Sequence, residues 1–242
     1  MKALSTILLL TITFSCNAQI NFKKLKEVGE NTIKMAQPAA LTEGEIVEGL
    51  KEALKVGAKN STKSASKPDG FYKNKALFIP FPKEAQSAAD KLKDLGMEKQ
   101  VNEFTMTLNR AAEEACKKAA PIFIDAILNM NISDAKGILK GSDTSATHYL
   151  RKSTRQQLFN QFAPIIEEAL SKVGATKNWE SLAGTYNKIP FVKKVNPDLK
   201  AYTTNLAIKG LFHLVSKEET KIRNNPTARV SEILKKVFGG NG

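Results

Sequence analysis

Cysteine and histidine are scarce: the 242 residues hold two of each, Cys16 and Cys116, His148 and His213. The histidines stand far apart without a ligand-type residue at helical i, i+4 spacing, so a zinc site lacks donors and no metal or cofactor is expected. If the first eighteen residues are removed on export, Cys116 is left without a disulfide partner, and stability must come from a packed core. Glycine-rich phosphate loops, an exposed-serine elbow and a dinucleotide fingerprint are all missing, which removes the common motifs of nucleotide and acyl-transfer chemistry. After the N-terminus no apolar run reaches the length of a membrane-spanning helix. Aromatics make up 7% of the chain while Ala, Leu and Lys abound, a composition that favours helices over sheets.

The N-terminus carries the pattern of an export signal. Lys2 supplies a positive n-region, residues 4 to 14 a short apolar run, and Ser15, Cys16, Asn17 and Ala18 are small or polar residues of cleavage-site type. Cleavage after Ala18 predicts an exported, periplasmic or secreted chain that begins at Gln19. The alternative is acylation of Cys16 and an envelope lipoprotein, although Thr13 and Phe14 depart from the usual residues before a lipidated cysteine. Residues 19–40 then read as an amphipathic lead-in and a linker, 41–238 as one helical domain and 239–242 as a tail.

The formal net charge is +13, and it is unevenly spread. Residues 41–187 hold 21 Lys and Arg against 18 Asp and Glu, whereas residues 188–242 hold 11 against 4. A basic C-terminal surface built from Lys193, Lys194, Lys209, Arg223, Arg229, Lys235 and Lys236 would attract an anionic envelope surface or a protein partner. A well-solvated basic surface that aids solubility accounts for the same residues. No basic run interleaved with aromatics is present, so nucleic acid is not the expected partner.

Along the chain the apolar spacing is helical. Thr42 and Glu45 form a capping box, Ile46, Leu50, Ala53 and Leu54 follow on one face, and Gly57 reads as the terminator before a Ser- and Lys-rich loop at 59–70. The segment 76–82, with Pro80 and Pro82, is the one candidate for extended structure, either an edge strand or a strap across a helical face. A helix is predicted from Lys83 to Leu95. Another starts at Met97 and carries Val101, Phe104, Leu108, Ala111, Ala112, Ala115 and Ala119 on one stripe, until Pro121 breaks or kinks it. Ile122 to Leu128 are apolar on most sides, Ser133 reads as the next N-cap and Gly141 as its close. A long helix over 143–173 contains Pro164 and ends at Gly174; Trp179, Leu182 and Tyr186 mark a shorter one. Asn196-Pro197 and Asn225-Pro226 predict helices over 198–223 and 227–238. The fold class is therefore all-α: a single compact multi-helix bundle with one extended, proline-containing segment near 76–82.

Polar residues that interrupt apolar helices are the candidate site. Asn109 and Glu113 share a face, and Arg110 and Glu113 can pair at i, i+3, either as a structural clasp or, if joined by Asp134 or Tyr149, as an acid–base centre. Asp134 is also explained by the helix dipole. Thr144, Thr147, Tyr149, Arg151 and Thr154 either brace the long helix or line a polar pocket. Cys116 shares a face with Ala112 and Ala119, where a buried structural cysteine is expected.

Gly49-Leu50-Lys51-Glu52-Ala53-Leu54, Asp69-Gly70-Phe71, Ile79-Pro80-Phe81-Pro82, Asn109-Arg110-Ala111-Ala112-Glu113 and Ser133-Asp134-Ala135 with Ile138-Leu139-Lys140-Gly141 resemble, in that order, the bacterial domain-of-unknown-function family numbered 4197. Thr144, Ala146-Thr147, Tyr149, Thr154, Leu158, Phe162-Ala163-Pro164, Glu218-Glu219, Ile222-Arg223, Pro226, Arg229 and Val237-Phe238 continue the resemblance, which spans residues 41–238. It implies an exported helical bacterial protein and leaves the activity open. Three functional expectations follow: a non-enzymatic envelope protein that binds through its basic side, a carrier of a lipid-like ligand if the helices splay around an apolar pocket, and, third, a hydrolase-type enzyme.

Overall fold

The computed structural model describes residues 42–83, 86–188, 190–191, 194, 198–229, 231, 235 and 237–238, with the side chains of 87, 88, 91, 92, 178, 181–183, 185 and 186 excepted. The expected signal sequence, Cys16, the lead-in, Lys193, Lys236 and the packing of Leu182 and Tyr186 lie outside what is described. Helices follow one another as α1 (Glu43–Ser66), α2 (Gln86–Asp94), α3 (Glu98–Cys116), α4 (Ala119–Leu128), α5 (Ile132–Leu139), α6 (Ser145–Lys172), α7 (Ala175–Tyr186) and α8 (Leu199–Asn224), with a 3-10 turn at Pro226–Ala228. No strand occurs among the described residues. The all-α bundle is thus as expected, and segment 76–82 is a strap.

α6 and α8 organise the bundle. α6 packs against α3, α4, α5, α7 and α8, while α8 also packs against α1, α3 and α7. Leu150, Leu158, Phe162, Ile166 and Leu170 of α6 are fully buried, as are Leu199, Ala207, Leu211 and Phe212 of α8. Burying a side chain of this size stabilises by about 1.5–3 kcal/mol, so these two stripes carry much of the core. Phe123 of α4 meets Phe212 edge-on at 5.6 Å, tying the most apolar helix to α8.

Several predicted boundaries shift. Thr42 caps α1 with the expected box. Gly57, however, does not end the helix; it lies buried within it, where a Cβ would stand 3.6 Å from Glu218 Cβ of α8. The Ser-rich stretch reads as a loop by composition, yet Ala58, Ser61, Thr62 and Ala65 recur on the buried face. Small side chains there let α8 approach, and Ser61 returns its hydroxyl proton to the Gly57 carbonyl at 2.7 Å. The break before α4 falls at Lys117–Lys118, since Pro121 can neither donate to nor fit against the carbonyl four residues earlier. Asn131, not Ser133, caps α5, accepting from the Asp134 N–H at 2.7 Å. α8 opens one residue later than Asn196-Pro197 implies, with Asp198 accepting from the Ala201 N–H at 2.8 Å. Asn225 caps the 3-10 turn at Pro226–Ala228 in place of the expected start of an α-helix. Gly174 ends the α6 region with φ 65° as predicted.

Candidate functional site

Two carboxylates inside the bundle each gather backbone N–H groups from another element. The first is Glu113 on α3, whose side chain is 6% exposed. Its Oε1 accepts from the backbone N–H groups of Phe71 and Tyr72 at 3.0 and 3.1 Å, and its Oε2 from Arg110 Nη1 at 2.7 Å. Arg110 Nη2 also reaches Asp69 Oδ1 at 2.6 Å, and its guanidinium lies over the Tyr72 ring, 5.5 Å from the centroid. Hydrogen bonds from Lys73 and then Arg110 hold the Asp69 carboxyl below its ordinary range, and those to Glu113 and Asp69 raise the Arg110 pKa.

Local sequence makes that clasp possible. Asp69 adopts φ 64°, a left-handed conformation that Asp tolerates better than most residues. A Cβ at Gly70 would come within 2.5 Å of the Ala65 carbonyl oxygen, so only glycine fits the turn after α1. Phe71 is then driven fully into the core against Gly210, where a Cβ would lie 2.8 Å from its ring. One turn earlier on α3, buried Asn109 treats the strap as a neighbouring strand would: Oδ1 accepts from the Ile79 N–H at 2.8 Å and Nδ2 donates to the Ile79 carbonyl at 2.9 Å. Below it, Phe81 packs 4.9 Å from Phe104 and 6.0 Å from Trp179. Asn109, Arg110 and Glu113 therefore fasten 69–79 to the bundle.

The second carboxylate is Glu219 on α8. Its Oε1 accepts from the Ala146 N–H at 2.9 Å, and its Oε2 from both the N–H and hydroxyl of Thr147 at 2.9 and 2.8 Å. Thr144, the residue before α6, makes no side-chain cap, so a carboxylate from a distant helix supplies it and places negative charge at the positive end of the dipole. Arg223, one turn on, binds Glu219 Oε1 at 3.1 Å and donates to the Ile138 carbonyl at 2.8 Å, near the carbonyl end of α5. One i, i+4 pair thereby matches two helix ends on either side of the α5–α6 connection.

The expected site residues thus separate. Thr147 belongs to the Glu219 clasp. Tyr149 donates to the Ala126 carbonyl at 3.2 Å; burial raises its phenol pKa, and the Asp134 charge adds to that. Neither Asp134 nor Tyr149 joins Arg110 and Glu113 in a hydrogen bond, and the acid–base grouping is not assembled. Arg151 lies over the Phe212 ring at 5.2 Å, and Thr154 donates to the Leu150 carbonyl at 2.6 Å, so both brace the helix. Burial drives the Cys116 thiol far above its ordinary pKa, fitting the structural role expected of it. Among the described residues, no three His, Cys, Asp or Glu side chains are grouped to hold a metal ion.

The basic C-terminal surface is divided as well. Arg223 is 12% exposed in its side chain and points inward, because the ends of α5 and α6 use its charge. Arg229 donates to the carbonyls of Ile222 and Arg223 at 3.2 and 2.9 Å, closing α8. Lys194, Lys209 and Lys235 are exposed. Lys209 borders a groove between the strap and α8, lined by Ala76, Leu77, Phe78, Pro80, Lys83, Tyr202, Leu206, Lys209, Gly210 and His213. No carboxylate is among these lining residues. By contrast, the apolar pocket between α1, α6 and α8 leaves only ≈ 20 Å³ for a water-sized molecule, far short of the ~300 Å³ at which ligand pockets begin. Of the α4 segment expected to be buried on most sides, Ile122, Phe123 and Ile127 are packed core, whereas Leu128 is 53% exposed.

A family model described as "Protein of unknown function (DUF4197)" matches residues 40–239. The chain belongs to this family. The match takes in both clasps and the groove, so this member's basic C-terminal region is part of the DUF4197 unit. No curated protein and no solved structure matches the chain. Asp69 and Glu219 are partners that the sequence does not single out; Arg110, beside Leu108, Ala111 and Ala112, is a signal that a carboxylate has to meet it, whereas Arg223 lies in the mostly polar run 216–225 and gives none.

Proposed function

We propose that this DUF4197 protein is an exported, non-enzymatic binding protein that holds an anionic partner in the groove between the strap and α8. The observation that carries the reading is the lining of that groove: exposed Lys83, Lys209 and His213 border an apolar floor and meet no carboxylate among the lining residues. Cations above low-dielectric walls focus the field and attract negative charge. The excess of basic over acidic residues after 188 supports the same reading. Export with cleavage after Ala18, or anchoring through an acylated Cys16, fits the N-terminal pattern and would put the groove in the envelope.

Sedimentation of the chain from Gln19 onward with anionic vesicles, neutral vesicles and cell-wall polymer, at low and raised salt, tests the reading. Binding to an anionic surface that weakens with salt, and weakens further in Lys83→Glu/Lys209→Glu, is expected. Equal binding by wild type and the double variant under every condition removes the groove from the account.

A further inference from the structure

The groove has two ends. Tyr202 donates its phenol proton to the Pro80 carbonyl at 3.2 Å, and a Cβ on Gly210 would lie 3.2 Å from Leu77 Cγ. Strap residue 80 therefore sits at α8 residue 202 and strap residue 77 at residue 210, so the strap runs antiparallel to the helix. Lys83, three residues beyond Pro80, borders the Tyr202 end. Lys209 and His213, a turn apart on α8, border the other. Between them lie Phe78, 39% exposed, and Leu206. From Tyr202 the helix rises about 10 Å to Lys209 and about 16 Å to His213 at ~1.5 Å per residue, so the cationic ends flank an apolar centre ~13 Å long.

Building on the anionic-partner reading, we infer that the groove takes an extended acidic segment of a partner protein, with carboxylates about four residues apart and an apolar side chain midway between them, all on one face of the segment. Four residues of extended chain cover about 13 Å, the same span, at ~3.3 Å each. A single-headed amphiphile neutralises one end and leaves the other without a counter-charge. A flat lipid surface can meet the two exposed lysines but does not reach the concave apolar floor between them. An extended peptide satisfies both ends and lays an apolar side chain on Phe78 and Leu206.

The test is fluorescence anisotropy with labelled peptides of about eight residues, one with Glu at both ends of a four-residue spacing and Leu midway, one with Glu at a single end of it, and one with Gln throughout. The two-ended peptide binds most tightly, and Lys83→Glu/Lys209→Glu weakens it about tenfold, the scale of two exposed ion pairs lost. A peptide with Lys at both ends recovers binding to that double variant, whose unchanged melting shows that it folds. Equal binding of the two-ended, one-ended and Gln peptides overturns the inference. If anionic vesicles still bind in a Lys83- and Lys209-dependent way, only the peptide inference falls. If they do not, the anionic-partner reading falls with it.

Discussion

Replacing Glu113 with Ala takes one acceptor from three donors at once. The Phe71 N–H is buried and has no second acceptor, so stranding it costs about 1–3 kcal/mol. The Tyr72 N–H is partly buried, and water entering the vacated space can reach it. Arg110, 41% exposed, keeps Asp69 and the Tyr72 ring, so its loss is held to about 1 kcal/mol or less. Together these give a destabilisation of about 3 kcal/mol, which at ~2–4 °C per kcal/mol for a domain of this size lowers Tm by about 6–12 °C. Glu113→Gln keeps Oε1 for both N–H groups but turns an amide toward Arg110, and costs about 1 kcal/mol. From the ion pair alone, replacing both Arg110 and Glu113 by apolar residues should recover most of the loss. The two strap N–H groups change that expectation. Arg110→Met/Glu113→Leu still strands them and stays within about 1 kcal/mol of Glu113→Ala. Thermal melts of the four proteins decide it, with amide exchange at Phe71 and Tyr72 as the local readout. A Glu113→Ala melt within 2 °C of wild type, or a double variant that melts with wild type, refutes the clasp (threshold about half a kcal/mol).

Asn109→Ala leaves both backbone groups of Ile79 unpaired and should cost about 2–4 kcal/mol, with faster exchange at the Ile79 amide. Two glycines should respond with opposite signs in denaturant titrations: Gly57→Ala stabilises by about 0.5–1 kcal/mol, because a Cβ there meets only ordinary contacts inside a helix, whereas Gly210→Ala forces Phe71 aside and costs about 1–3 kcal/mol. Asp69 has its pKa lowered by Lys73 and Arg110, so its contribution is present above the unfolded value of about 4 and is lost as pH falls through the folded one. Acid titration of Asp69→Asn should accordingly show a shallower loss of stability than wild type. Cys116, with its pKa raised by burial, should react with iodoacetamide at about pH 8 only after denaturation, and should lower stability as pH rises above the unfolded thiol value of about 8.5.

What the sequence by itself determined is the class of the fold, most of the helices and the faces they bury. Such features depend on local periodicity and on caps such as Thr42 with Glu45, which involve residues a few positions apart. It also marked Asn109, Arg110 and Glu113 as polar residues out of place in an apolar stripe, because burial of such groups needs partners wherever they are. The partners themselves lie about forty residues away in the turn at Asp69–Tyr72, or seventy-odd residues away in the case of Ala146 and Thr147 with Glu219. Only the tertiary structure could name them, since nothing in a helical period links positions at such separations. The same reason explains why Gly57 and the Ser-rich stretch were misread. Small residues end a helix in isolation, but they permit close approach once α8 packs against them, and the energy of that packing exceeds the ~1 kcal/mol cost of a glycine in a helix. Net charge was legible as a total, whereas its use was decided by the fold: Arg223 and Arg229 are drawn to helix carbonyls, and Lys83, Lys209 and His213 are left facing the groove.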